Sequence, residues 1–281
     1  MIDRLNKLTT AYKTSLLLGM MGFNFLLTGA DVLMAHSQNN YFRWEVIPLI
    51  FSPLAFLAIL AQLIFRANTV VMRVFQTVMW LGVLVGVAGT FFHLTGNATS
   101  SQESFYRLLT AGSPVAAPIA FAGISSYALV SEHYRGTARR SRLLILVGLG
   151  FLGAVVAAFL DHARLGFIPS YTLIPLVSGS LAAMSCFYLV NSQAHRMELY
   201  IYLFILALNL LVGIFGFGFH VLGDLAGTPS LVWARLLYRN PLLGPLLFCN
   251  LSLLGALSIL PESAVMLQES QREETAVVSP A

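Results

Sequence analysis

A chain of 281 residues with 57% hydrophobic and only 10% charged residues lies outside the soluble globular class, in which about a quarter of residues are charged. Its formal charge of +4 gathers in a few short segments with no basic, aromatic-interleaved stripe, so nucleic acid is not an expected partner. The two cysteines, Cys186 and Cys249, fall inside apolar runs and read as small packing residues with no disulfide.

Residues 1–13 form a short polar lead. Apolar runs long enough to span a bilayer, on the order of 20 residues, follow near 14–36, 45–65, 71–95 and 112–131. A basic linker occupies 132–141, and further runs lie near 142–162, 169–190, 198–222 and 240–260. The first run is too long for a signal peptide and lacks a small-residue cleavage site. Residues 263–281 are polar and aperiodic, which predicts a disordered tail. The backbone must satisfy its own hydrogen bonds in lipid, so the runs are expected to be helices. The expected fold is an all-α integral membrane protein of eight transmembrane helices.

Basic residues set the orientation. With the N-terminus, even-numbered connections and C-terminus on one side, that side carries Arg4, Lys7, Lys13, Arg66, Arg73, Arg135, Arg139, Arg140, Arg142, Arg196 and Arg272. The other carries Arg43, Arg107, Arg164, Arg235 and Arg239. Eleven against five predicts both termini in the cytoplasm of a multi-pass protein, in a bacterial inner membrane.

The chain also repeats itself. Gly86, Gly89, Phe92, His93 and Gly96 match Gly213, Gly216, Phe219, His220 and Gly223 at an offset of 127. Ile47-Pro48-Leu49 matches Ile174-Pro175-Leu176, and Pro114, Pro118 and Phe121 match Pro241, Pro245 and Phe248. Arg107-Leu108-Leu109 matches Arg235-Leu236-Leu237, while Gly22 and His36 match Gly148 and His162 at 126. The reading is two tandem four-helix repeats, 14–131 and 142–262. An even helix number gives both the same orientation, related by an axis along the membrane normal.

Each repeat carries two matched histidines. His36, His93, His162 and His220 lie 23, 20, 20 and 22 residues from Lys13, Arg73, Arg142 and Glu198 at the inner ends of their helices. That places them roughly 30–35 Å along helices of about 1.5 Å rise per residue, all near the outer membrane edge. Polar groups at that depth need partners, and imidazole is a common metal ligand. Gly86, Gly89, His93 and Gly96 share one helix face, as do Gly213, Gly216, His220 and Gly223. A glycine strip beside an axial imidazole suits a haem macrocycle; the competing reading is a helix-packing seam. Arg107 and Arg235 are placed to meet haem propionates. A non-haem centre of copper, zinc or iron on the four histidines is the alternative, with Asp31, Asp161 and Asp224 near the same level.

The expected function is therefore a membrane electron-transfer subunit carrying b-type haem. It would exchange electrons between quinol in the bilayer and an extracytoplasmic redox protein. Two pairings stand open: one haem per unit (His36 with His93, His162 with His220), or one centre shared by all four. The helix count resembles, in architecture, the eight-helix quinol-reactive anchor subunits of respiratory oxidoreductases. The rivals are a pseudo-symmetric transporter with helix breaks at the matched prolines, a membrane metalloenzyme, and a structural anchor. No phosphate-binding loop, nucleophile elbow, HExxH or CxxC is present.

Overall fold

The computed structural model of the protein describes residues 2–37, 40–100, 109–110, 114–191, 195–227, 234–235 and 241–260. Arg107, most of the two outer loops and the tail from 263 onward lie outside these residues. The described residues fold into eight α-helices: α1 (Ile2–Ser37), α2 (Val46–Ile64), α3 (Thr69–Ser100), α4 (Ile119–His133), α5 (Gly136–Ala163), α6 (Ile174–Asn191), α7 (Arg196–Leu225) and α8 (Leu246–Ile259). Short 3-10 turns at Arg43–Glu45 and Ser170–Leu173 lead into α2 and α6. Six helices are long and apolar enough to cross a membrane, and large apolar side chains such as Trp80, Leu84, Phe204 and Phe215 are exposed on their outer faces. With no water to cover such faces, lipid is the solvent they fit.

Helices α4 and α8 are shorter than the runs that announce them, at 15 and 14 residues. Proline is the reason. Pro114 and Pro241 cannot continue a helix backwards, and Pro118 and Pro245 sit at the N-caps of α4 and α8. Residues 114–118 and 241–245 are therefore turns. Pro48 and Pro175 lie within the first turn of α2 and α6, where a missing N–H costs little. None of the six matched prolines breaks a helix. Pro53, which has no proline counterpart 127 residues on, is the one inside α2. At the other ends, α1 begins at Ile2, and α3 and α7 run to Ser100 and Leu225, a few residues past the apolar runs.

Helices α1–α4 close a four-membered ring in which each packs on the next and α4 returns to α1; α5–α8 do the same. The inner contacts match residue by residue. Phe25 packs on Phe121 with ring centroids 6.2 Å apart, and Phe151 on Phe248 at 6.4 Å, an offset of 126 on one ring and 127 on the other. The two rings meet where α4 packs on α5 and α8 on α1. At their junction the Tyr127 hydroxyl donates to the Leu254 carbonyl at 3.0 Å, residues that are themselves 127 apart.

Two buried cations cross that junction. Lys13 on α1 donates to the carbonyls of Ser258 and Leu260 at the end of α8, at 3.3 and 2.6 Å. Arg139 on α5 donates to the Tyr134 carbonyl at the end of α4 and to Thr14 Oγ1 at 3.1 Å. They are 126 residues apart, and only 3% and 1% of each is exposed. A helix C-terminus presents unpaired carbonyls and the negative end of its dipole, which is what a buried cation needs. Each ring thus closes the other ring's last helix. Replacing Lys13 or Arg139 with Met is expected to lower stability by about 2–3 kcal/mol each, the worth of a buried charge-assisted hydrogen bond. Thermal unfolding in detergent measures it, with Arg140→Met, at a partly exposed position, as the near-neutral control.

Candidate functional site

All four histidines lie at or near the C-terminal ends of odd-numbered helices: His36 on α1, His93 on α3, His162 on α5 and His220 on α7. Each is half-buried. They are gathered as two pairs, one in each ring of helices. The His36 and His93 rings have centroids 6.3 Å apart, and those of His162 and His220 are 6.5 Å apart. The rings that stand side by side are those of His36 with His93 and of His162 with His220. Among the described residues no group of three or more His, Cys, Asp and Glu side chains is arranged to hold a metal ion.

The spacing has chemical content. Imidazole nitrogen binds a transition metal at about 2 Å, and the nitrogen lies about 1.1 Å from its ring centre, so two imidazoles on opposite sides of one ion sit about 6.2 Å apart. Packed phenyl rings of the same bundle span this range too, from Tyr171 and Phe219 at 5.3 Å to Phe151 and Phe248 at 6.4 Å, so the spacing accommodates a shared ion without requiring one.

Three of the four rings are oriented from behind. The Nδ1–H of His93 donates to the Pro114 carbonyl at 3.0 Å, and that of His220 to the Pro241 carbonyl at 3.0 Å. The His36 Nδ1–H donates to the Glu45 carbonyl at 3.2 Å. A carbonyl only accepts, so Nδ1 carries the proton and Nε2 keeps its lone pair. That is the arrangement in which a second group fixes the tautomer and direction of a metal-binding imidazole. The Pro114 and Pro241 carbonyls also accept the turn N–H groups of Ala117 and Gly244 at 3.2 and 3.3 Å, so the histidines add a second bond to each. These bonds occupy one nitrogen of each ring and leave the other available.

The glycines divide differently from the haem expectation. A Cβ on Gly86 would lie 2.5 Å from the Ala122 nitrogen, and one on Gly89 would lie 2.8 Å from the Pro118 Cβ. The second unit repeats this: a Cβ on Gly213 would meet Cys249 Sγ at 2.5 Å and the Pro245 carbonyl at 2.8 Å, and one on Gly216 the Pro245 Cβ at 3.0 Å. Ala122 and Cys249 are again 127 apart. Gly86, Gly89, Gly213 and Gly216 therefore serve the packing seam of α3 on α4 and α7 on α8, not an open cradle for a macrocycle. Gly96 has nothing within 4 Å of an added Cβ and stands on the open part of the strip, one turn beyond His93; Gly223 is half-buried at the matching place beyond His220.

Arg235 is half-buried and donates to the Ala226 carbonyl at 3.0 Å, which closes the end of α7. Arg107 lies outside the described residues. Sequence reasoning missed Glu45, whose Oε2 lies 4.0 Å from His36 Nδ1; its place before a matched Ile-Pro-Leu was the available signal. No protein family model, curated protein or solved structure matches the chain.

Proposed function

We propose that the protein is the membrane electron-transfer subunit of an oxidoreductase, holding one b-type haem in each of two tandem four-helix units. The observation that carries this reading is the pair of His–His spacings, 6.3 and 6.5 Å, recurring at equivalent places. His36 and His93 would hold the haem of the first unit, and His162 and His220 that of the second. Two protein ligands suffice for haem iron, whose other four positions are filled by the macrocycle. Structural zinc takes four protein ligands and catalytic zinc three, so a two-histidine site favours haem over zinc and likewise over a copper or non-haem iron centre.

The rest follows from the same frame. All eight helices lie across the membrane, α4 and α8 completing their crossing with the proline turns. Both units share one orientation, and the basic excess places both termini in the cytoplasm of a bacterial inner membrane. The haems lie near the outer face, within reach of an extracytoplasmic redox protein and of quinol diffusing in the bilayer. Bound haem would supply reversible one-electron transfer. The chain's own part is to hold four imidazoles with their Nε2 atoms free, to keep bulk water from the half-buried rings, and to fix the two helix rings against one another. The matched prolines give no support to the transporter alternative, because they mark helix starts.

The test is a dithionite-reduced minus oxidised spectrum of detergent-purified protein, with metal analysis on the same sample. A b-type α-band with close to two haems per chain is expected, with the low-spin character of two-histidine ligation. Stoichiometric zinc, copper or iron without haem would replace this reading with a metalloenzyme. Neither haem nor metal would leave a transporter or an anchor.

A further inference from the structure

The two units differ most at the connection between their second and third helices. In the first unit a cavity of about 340 Å³ opens there. It is lined by Arg66 and Asn68 of the connection and by Thr69, Met72, Arg73 and Gln76, which share one face of α3. No acidic side chain lines it. Arg66 Nη2 donates to Ser15 Oγ on α1 at 2.9 Å, which uses one of five guanidinium N–H groups. Arg73 is exposed and makes no side-chain hydrogen bond or ion pair among the described residues. Asn68 Oδ1 accepts the Val70 and Val71 N–H groups at 2.9 and 3.2 Å, so its amide nitrogen is the group left to donate. Gln76 is held from behind by His133 of α4, with Gln76 Nε2 2.6 Å from His133 Nε2. The cavity is thus a fixed recess whose free polar groups are donors, two of them cations.

The second unit does not repeat it. The positions 127 residues after Arg66, Arg73 and Gln76 are Gln193, Tyr200 and Leu203, and an acid, Glu198, stands in the first turn of α7. Beside the first unit's cavity, Ile64, Phe65, Val70 and Val74 are all exposed. This end of the bundle carries most of the chain's cations, and at such a helix end the headgroups of a bilayer lie level with the side chains. We propose that the cavity binds the phosphate of an anionic phospholipid. Arg66 and Arg73 grip the headgroup through charge-assisted hydrogen bonds, and the acyl chains run along the apolar residues beside it. A soluble anion would use the arginines but leave that apolar rim bare. The site does not depend on what the histidine pairs hold.

Native mass spectrometry of the detergent-purified full-length protein, titrated with phosphatidylglycerol or with phosphatidylcholine, tests this. One phosphatidylglycerol per chain is expected to bind in clear preference to phosphatidylcholine. Arg66→Gln and Arg73→Tyr, which install the second unit's residues, should each weaken that binding about fivefold, and the double variant more than either. Arg73→Lys, which keeps the charge, should keep the preference. Arg142→Gln, at a cation that stacks on Tyr134 outside the cavity, should leave it unchanged. Both arginines of the cavity are exposed, so the melting temperatures of their variants without added lipid are expected to stay near the wild type. Equal affinity for the two lipids, or undiminished binding in the double variant, would overturn the proposal. Displacement of the lipid by inorganic phosphate would overturn it in favour of a soluble anion.

Discussion

Replacing His93 with Ala is expected to halve the haem content of the purified protein, and His220→Ala is expected to halve it likewise. The double variant should show no α-band. Under the two-haem proposal each substitution would remove one imidazole from one pair, and the pairs are in separate helix rings, so the losses should add. His36→Ala and His162→Ala should each remove the haem that its partner's replacement removes, so His36→Ala with His93→Ala loses no more than either alone. Pyridine haemochrome assay against protein concentration reads this directly. Loss of all haem from one single replacement would mean that all four histidines serve one centre. Full retention in the double variant would dissociate the haem from these residues. His93 and His220 also bond the Pro114 and Pro241 carbonyls, so each variant needs a folding control. His93→Asn and His220→Asn keep a donor for the carbonyl, and are expected to restore stability with the haem content still halved.

The largest loss of stability is expected from Gly86→Val and Gly213→Val. The obstacle at Gly86 is backbone, the Ala122 nitrogen at 2.5 Å from an added Cβ, with the Pro118 carbonyl at 3.0 Å. Side chains can change rotamer but a helix start cannot move without the whole of α4. Overpacking of a core typically costs 1–3 kcal/mol, and a clash with backbone places these variants at the upper end or beyond, above about 3 kcal/mol. Gly213 differs in one respect, since the nearest atom to its added Cβ is the Cys249 sulfur. Cys249→Ala should therefore relieve part of the Gly213→Val defect, and no equivalent relief is open at Gly86, where residue 122 is already alanine. Yield of monodisperse protein and its melting temperature measure both.

How much of this was legible in the chain differs by element. The all-helical, lipid-facing character followed from composition and run length alone. Helix ends were less legible at α4 and α8, because apolar residues on both sides of Pro114 and Pro118 hide the turn between them. The histidines could be matched by spacing but not paired, since 36 with 93 and 36 with 162 are equally permitted by depth. Only the closing of α1–α4 into one ring, with α1 and α3 across it from one another, brings the His36 and His93 rings side by side. The glycines carried two readings of one pattern, and the deciding neighbours, Pro118 and Pro245, lie about 30 residues away in sequence. In the sequence Lys13 and Arg139 stand only as a helix flank and a linker cation, as basic residues at a helix end usually do. Their matched offset was visible, but burial against carbonyls of a distant helix is a tertiary fact.

The crossed contacts of Lys13 and Arg139 have a consequence for how such a chain could arise. Under the two-unit architecture, each unit gives a cation away and receives one, so neither is complete alone. Before fusion, a single four-helix chain would have met its twin across the same surface, in the isologous manner of a two-fold dimer. The linker between α4 and α5 would then be a late covalent addition to an association that already existed. Joining the copies would free them to diverge, and Glu45 at the place of Thr172 is the kind of difference that identical subunits could not hold.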